Sequence, residues 1–246
     1  MSQLGNSMMM GPNQAYIDYL LSTSVFYYDP FYSGSWAGTP ANNDPIGTMN
    51  DRYGRATWQL TQAIGISQPL YQANSGKPYL LYDGIDDVLL TVPIDSSLYF
   101  PQVATVLMTL NSTNVATNKV ALKYIGANAA ARLLGVQSNA HIMNWISGGA
   151  LNVTSAYTSF KVLGGTRVTG TNTKFGYTNG VREVTGNAVN ITHAVESMFV
   201  GAFRNTVIYA GFQGGIGELV AWGTALSAYD VNLLSKYFMQ RRGLAT

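Results

Sequence analysis

The sequence predicts an all-β fold in which two antiparallel sheets stack as a jelly-roll sandwich, with an N-terminal arm and a C-terminal α-helix. Three observations predict this fold. Charged residues make up 11% of the 246 residues, against roughly 25% in an average soluble domain. The 26 glycines and 16 tyrosines favour turns and strands over helices. From Tyr79 onward, short segments follow a period of two, which is the period of a β-strand.

The candidate strands are short, and each is bounded by the residue types that form turns. Segments of this length and spacing are typical of a sandwich or a barrel. They cover residues 79–82, 88–92, 103–110, 119–125, 132–136, 141–146, 157–163, 174–181, 197–204 and 216–222. No internal repeat or linker interrupts the sequence, so it predicts a single sandwich domain over residues 25–246.

The C-terminal segment predicts an α-helix. Ser227 and Asp230 have the spacing of a capping box, in which a hydroxyl and a carboxylate satisfy the first free amides of a helix. Apolar residues then recur at three and four positions, which predicts one face packed on the sandwich. These residues are Val231, Leu234 and Phe238. Arg241 and Arg242 suit the negative end of the helix dipole, and Gly243 suits a left-handed stop.

The N-terminal residues 1–24 predict an arm that docks on a partner. Residues 1–12 have no pattern of a strand or helix, and Met8, Met9 and Met10 are its candidate docking residues. Asn13 is placed to cap a short helix that follows. The segment lacks the basic region and the apolar run of a signal peptide, so synthesis in a reducing cytoplasm is expected.

Composition excludes several classes of partner. The chain has no cysteine, which rules out disulfides and thiolate metal sites. Its net charge is +2 and its basic residues are scattered, whereas nucleic-acid binding needs clustered Lys and Arg. No apolar run approaches the ~20 residues that span a bilayer. We therefore expect neither nucleic-acid binding nor membrane insertion.

Four stretches, in order along the chain, carry a family resemblance. They are FYYDP at 26–30, MNDRYGRATWQL at 49–60, LYDGIDDVL at 81–89, and FQGGIGELV at 212–220 with ALS at 225–227. The set resembles the concanavalin A-like lectin/glucanase superfamily, in particular the laminin-G-like domains of bacteriophage virion proteins. The matched stretches lie between residues 26 and 243 and so cover most of the chain. One departure is Met49, where many relatives have Trp.

The resemblance implies a virion structural protein, in the tail, in a fibre or on the capsid surface, located in the virion. Its implied partners are other virion proteins, further copies of itself and polysaccharides of the host surface. Two alternatives remain open: a glucanase-type enzyme, and an exported bacterial lectin or adhesion module. Glucanases of the superfamily have a Glu-x-Asp-x-Glu strand, and none of Glu183, Glu196 and Glu218 lies in that pattern, so we expect no catalysis and no catalytic residue.

Asp83, Asp86 and Asp87 form the densest acidic cluster. Three carboxylates around one glycine turn suit Ca²⁺, which takes six to eight oxygen ligands. The alternative interpretation is that the aspartates accept hydrogen bonds from turn amides and need no metal. No other cofactor is expected.

Aromatic residues are the candidate sugar-binding groups, because sugar rings pack their C–H faces on aromatic rings while amides bind the hydroxyls. Trp36 lies in a Ser/Gly loop and Trp145 follows Asn144, so these residues are the candidates. Residues 211–217 (GFQGGIG) look like a phosphate-binding loop, but such a loop opens a helix and this one opens a strand. We therefore expect these glycines to serve a bulge or close sheet packing.

Overall fold

The computed structural model describes residues 13–73, 76–91, 104–113, 119–126, 129–137, 140–144, 150–155, 159–168, 171, 173–187, 195–202 and 211–246. About half of the described residues lie in two antiparallel sheets. The first sheet contains β1 (Phe26–Tyr28), β4 (Leu70–Gln72), β5 (Tyr79–Asp83), β7 (Thr105–Ser112), β12 (Lys161–Val168), β13 (Thr173–Thr178), β14 (Val181–Asn187) and β16 (Gln213–Trp222). Its order is β14-β13-β12-β7-β16-β5-β4, and β1 also pairs with β16.

The second sheet contains β2 (Thr48–Met49), β3 (Leu60–Thr61), β6 (Leu89–Thr91), β8 (Lys119–Gly126), β9 (Ala129–Gln137), β10 (Ala140–Asn144), β11 (Ala150–Ser155) and β15 (Val195–Val200). Its order is β11-β10-β9-β8-β15-β6-β3-β2. Runs of consecutive strands, such as β8 to β11 and β12 to β14, are joined to the rest by strands that are distant in sequence, as β8 and β15 are. The sheets therefore close only when distant segments meet. The predicted antiparallel two-sheet sandwich is confirmed.

Alternation along the central strands of the first sheet makes two apolar layers. On β7, Val106 and Met108 face the interior between the sheets, where Leu122 and Met198 of the second sheet meet them. Leu107 faces the opposite side and belongs to a second cluster with both helices. The sandwich therefore has a helical layer on the outer face of its first sheet.

Helix α2 (Ala228–Arg241) begins and ends where the sequence predicts. The Asp230 amide donates to the Ser227 hydroxyl at 3.1 Å, and that hydroxyl donates to the Asp230 carboxylate at 2.7 Å. Val231, Leu234 and Phe238 are buried. Gly243 has φ 62°, the left-handed conformation of a helix stop.

Helix α1 (Gln14–Ser22) shows that the predicted N-terminal arm is too long. Ile17, Leu20 and Leu21 are buried in the cluster beneath the helices, and the indole N–H of Trp222 donates to the Leu20 carbonyl at 2.7 Å. The domain therefore begins before residue 25, because the helix completes the outer apolar layer. The predicted short helix is confirmed, but the Asn13 side chain does not cap it. Met8, Met9 and Met10 lie outside the described residues.

Several strand boundaries differ from the prediction. β11 and β14 were not predicted, and β12 begins at Lys161 instead of residue 157. The predicted strand 174–181 runs across a hairpin, because Asn179 (φ 50°) and Gly180 (φ 81°) turn the chain between β13 and β14. Asn-Gly is the dipeptide that most favours such a two-residue turn. In the described part of the chain, no helix has both the length and the apolar character needed to cross a membrane.

Candidate functional site

The charged residues of the family-like stretches meet in a buried network at the C-terminal end of α2. The Asp29 carboxylate is fully buried and accepts hydrogen bonds from Arg241 at 2.8 Å, from Arg52, and from the Phe31 amide at 3.0 Å. Burial opposes the charge on Arg241, but nearby Tyr27 and Asp29 outweigh it, so the pKa of Arg241 lies above its ordinary value. Arg241 therefore stays charged, and its contact with Asp29 ties α2 to the loop after β1.

Glu218 on β16 forms the second part of this network. Its buried carboxylate accepts hydrogen bonds from Arg242 at 2.7 Å and from the Thr109 hydroxyl at 2.5 Å. Arg242 is itself 3% exposed and also donates to the Pro78 carbonyl at 3.1 Å. Glu218 therefore binds the end of α2 to the first sheet, which accounts for its place in the closing stretch.

Asp51 and Arg55 hold the loop between β2 and β3. Arg55 donates through Nε and Nη2 to the two Asp51 oxygens at 2.8 and 2.6 Å, a side-on bidentate pair. Asp51 also accepts the Tyr27 amide at 2.6 Å and the Tyr53 amide at 3.0 Å. The third guanidinium nitrogen of Arg55 donates to the Ser24 carbonyl. This loop is therefore fixed to β1 by buried polar contacts.

A polar pocket of about 500 Å³ lies on this fixed framework. Its lining includes seven side chains with polar groups, namely Tyr32, Asn50, Asp51, Arg52, Tyr53, Arg55 and Gln59. The two tyrosines are 40% and 42% exposed, so each has part of its ring open to solvent. Burial raises the pKa of Tyr53, which keeps its phenol protonated at neutral pH.

The pocket side chains support one another. Gln59 donates its amide to the Asn50 carbonyl oxygen at 2.7 Å, and Asn50 donates to the Gly34 carbonyl at 3.1 Å. The Arg52 guanidinium lies 5.0 Å from the centre of the Tyr32 ring, within cation–π distance. Open aromatic faces, amides and a guanidinium are the groups that bind a hydroxyl-rich ligand.

The residues expected to bind sugar are not the ones that line this pocket. The expectation of an accessible platform at Trp36 is wrong, because the residue is 9% exposed and belongs to the core between the sheets. Its ring packs edge-on against Tyr71 at 5.3 Å. Asn144 is the last residue of β10 and only its backbone is described, and Trp145 lies outside the described residues. The pocket residues lie in the loop around residues 31–51 and in the second family-like stretch, and the signal available in the sequence was a tyrosine close to a glycine in each segment.

Asp83, Asp86 and Asp87 come together as the sequence predicts, with carboxylate oxygens within 4.8 Å of one another. Each also supports the turn that joins β5 of the first sheet to β6 of the second sheet. Asp83 accepts the Ile85 amide at 2.7 Å, Asp86 accepts the Ser67 hydroxyl at 2.8 Å, and Asp87 accepts the Asp83 amide at 2.7 Å. The turn-capping interpretation accounts for the contacts of Asp83 and Asp87, whereas Asp86 ties the turn to the loop at Ser67. A calcium site stays a prediction, which calorimetric titration with CaCl₂ tests.

Asp87 makes the stability of the fold around this turn depend on pH. Burial raises its pKa from 3.8 to about 7, so between these values the folded chain retains a proton that the unfolded chain releases. The free energy of unfolding therefore falls as the pH rises through this interval, by on the order of 1–2 kcal/mol once solvent screening is included.

We expect Asp87→Asn, which keeps the oxygen that accepts the Asp83 amide, to remove this slope in urea unfolding curves recorded from pH 4 to 8. Asp18→Asn is the control, because Asp18 is exposed on α1. Identical pH slopes in the wild type and Asp87→Asn would contradict the assignment.

No sequence model of a known protein family matches this chain, and no curated protein sequence matches it. Similar solved structures exist. A Trypanosoma rangeli sialidase in complex with sialic acid matches with a TM-score of 0.63 and 13% identity, over 92% of this chain and 34% of that chain. A botulinum neurotoxin type C structure, described as needing interaction with two ganglioside molecules for entering cells, matches with a TM-score of 0.59 and 10% identity, over 90% of this chain and 53% of that chain.

The CBM40 domain of a Ruminococcus gnavus sialidase, bound to α2,3-sialyllactose, has a TM-score of 0.48 and 11% identity, over 64% of this chain and 96% of that chain. The chain spans about a third of the length of the Trypanosoma sialidase. At sequence identities of 10–13%, similarity to the Trypanosoma sialidase and toxin structures shows a shared fold and not a shared function. The chain is an antiparallel two-sheet β-sandwich with two helices on the outer face of its first sheet.

Proposed function

We propose that this chain is a carbohydrate-binding domain of a virion structural protein, which binds sugar without cleaving it. The observation that carries the binding part is the pocket, which is lined by two partly exposed tyrosines, Tyr32 and Tyr53, and two amides, Asn50 and Gln59. A fold of this class serves many functions, so the proposal rests on the site and not on the fold.

The chemistry of the pocket suits a sugar ring. A pyranose has apolar C–H faces that pack on partly open aromatic rings, and hydroxyls that exchange hydrogen bonds with amides. Within the described residues, the Gln59 side-chain oxygen has no hydrogen-bond partner, so it is open to a ligand hydroxyl. The loop is already fixed by Asp51 and Arg55, so binding orders few groups.

The similar solved structures add support of a general kind. The Trypanosoma sialidase holds sialic acid, and the toxin is described as interacting with gangliosides. Both are proteins that bind sugar-containing ligands and share this fold. Their ligands are properties of those proteins, and for this chain they favour sugars as the first ligands to test.

The virion part of the proposal rests on the four family-like stretches. It includes location in the virion, contact with other virion proteins, assembly with further copies of the chain, and contact with host polysaccharide. Mass spectrometry of purified particles tests it, and particles that lack the chain would overturn it. The alternative is an exported bacterial lectin or adhesion module. The genes that neighbour the coding sequence distinguish the two, because virion genes cluster.

Tyr32→Ala is the first test of the binding site. Loss of one aromatic platform is worth about 1 kcal/mol or more, so the dissociation constant should rise about fivefold to tenfold. Isothermal titration with the best ligand from a glycan array measures it. Tyr229→Ala is the control, because Tyr229 is 63% exposed and is not a lining residue of the pocket.

Equal weakening in both variants would exclude the pocket as the site. The same ligands also test the glucanase alternative. New reducing ends after incubation with the wild type would show cleavage and would overturn the non-catalytic part of the proposal.

A further inference from the structure

We infer that the pocket selects saccharides that carry a carboxylate, and that Arg52 binds this group. The inference rests on the proposed sugar-binding function and names the substrate class of the same pocket. It comes from a difference between the two arginines that line the pocket, Arg52 and Arg55.

Arg55 is fully used within the protein. Its Nε and Nη2 hold Asp51, and its Nη1 donates to the Ser24 carbonyl. Arg52 donates only through Nη1, to Asp29. Within the described residues, its Nε and Nη2 have no hydrogen-bond partner, and its side chain is 35% exposed. Nε and Nη2 of Arg52 are the same pair of donors with which Arg55 binds the carboxylate of Asp51.

The charge around Arg52 also favours an anion. Asp29 is shared between Arg52 and Arg241, and Glu218 pairs with Arg242 while lying 3.8 Å from Arg241. Three guanidinium groups therefore face two carboxylates, which leaves one positive charge. Burial lowers the pKa of Arg52, but Asp29 outweighs it, so the pKa is raised and the charge persists at any physiological pH.

The plane of the guanidinium is fixed before a ligand arrives. Nη1 is held by Asp29, and the Tyr32 ring lies 5.0 Å away. A planar donor pair held in this way matches the two oxygens of a carboxylate, whereas a hydroxyl uses only one donor. Asn50 and Gln59 remain to bind the hydroxyls of the same sugar.

Titration of matched ligands tests the inference. Sialyllactose is compared with lactose, and a glucuronic acid oligosaccharide with the neutral glucose oligosaccharide of the same length, so that both common sources of a sugar carboxylate are covered. We expect the wild type to bind at least one acid about tenfold or more tightly than its neutral partner. Methyl esterification of that acid should abolish the preference without any change to the protein.

Variants assign the preference to Arg52. Arg52→Gln should lose the preference for the acid, so that its dissociation constants for the acid and for the neutral partner agree within about twofold, and Arg52→Lys should keep only part of the preference. Asp29 retains Arg241 and the Phe31 amide, so the fold should persist. Arg182→Gln, at an exposed arginine of β14, is the matched control and should keep the full preference.

The outcomes separate the two proposals. Equal affinity for acidic and neutral sugars would overturn this inference and leave the sugar-binding function in place. A preference that survives Arg52→Gln or methyl esterification would overturn it as well. Absence of binding to any saccharide would overturn both.

Discussion

Glu218→Gln is expected to lower the free energy of unfolding by about 3–5 kcal/mol, because it leaves the buried guanidinium of Arg242 without its counter-charge. Arg242 is 3% exposed, so water cannot replace the lost carboxylate. The Gln side chain keeps one oxygen for Thr109 or Arg242, and the loss is therefore one of charge and not of volume. Urea unfolding should show a lower midpoint with an unchanged slope.

Glu183→Gln is the matched control for this substitution. Glu183 is exposed on β14, and we expect a change within about 0.5 kcal/mol. If both variants unfolded at the same urea concentration as the wild type, the buried pair would not hold α2 on the sheet. The experiment tests a structural role of Glu218 and not a catalytic one, because the free energy of unfolding is measured without any substrate.

Gly214→Ala is expected to cost about 2–5 kcal/mol, from backbone strain and from a clash in the sheet. Gly214 has φ 146°, and a Cβ atom there would lie 2.1 Å from the Asn111 carbonyl oxygen. That oxygen belongs to the backbone of β7 and cannot move without breaking the pairing with β16. Thermal and urea unfolding measure the loss.

Substitutions at two further glycines separate the backbone strain from the steric clash. Gly54 has φ 71° but open space around a Cβ, so Gly54→Ala reports the strain alone, at about 1 kcal/mol. Gly38 has neither a positive φ nor a neighbour within 4 Å, so Gly38→Ala should be neutral. The prediction fails if Gly214→Ala is no more destabilised than Gly54→Ala.

The glycine-rich stretch illustrates what sequence reasoning can achieve. Residues 211–217 were expected to serve a bulge or close packing, and the pairing of β16 with β7 shifts register between Ile216 and Leu219. The inference succeeded because glycine before a strand has few physical uses. The Asn179-Gly180 hairpin had an equally local signal and was missed, since a single candidate strand was drawn from residue 174 to residue 181.

The candidate site was predicted less well. The acidic residues at 83, 86 and 87 were found because the turn itself brings them together. Trp36 was chosen for its loop, but loop position does not reveal whether a large ring packs inward, and its contact with Tyr71 decided that. The pocket depends on Tyr32 and Gln59, which are 27 positions apart in the printed sequence and meet only in the folded chain.

What the residues alone settled is what depends on near neighbours: the period of the strands, the capped helix α2, the turn at 83–87, and a composition suited to sheets. The fold decided which distant groups meet. Asp29 and Arg241 are 212 positions apart and form one ion pair, and Trp222 reaches back to Leu20. Capping and periodicity act within a few residues and can be read along the chain. Pairing of buried charges and exposure of a ring depend on how the whole chain closes, and they become visible only when it has closed.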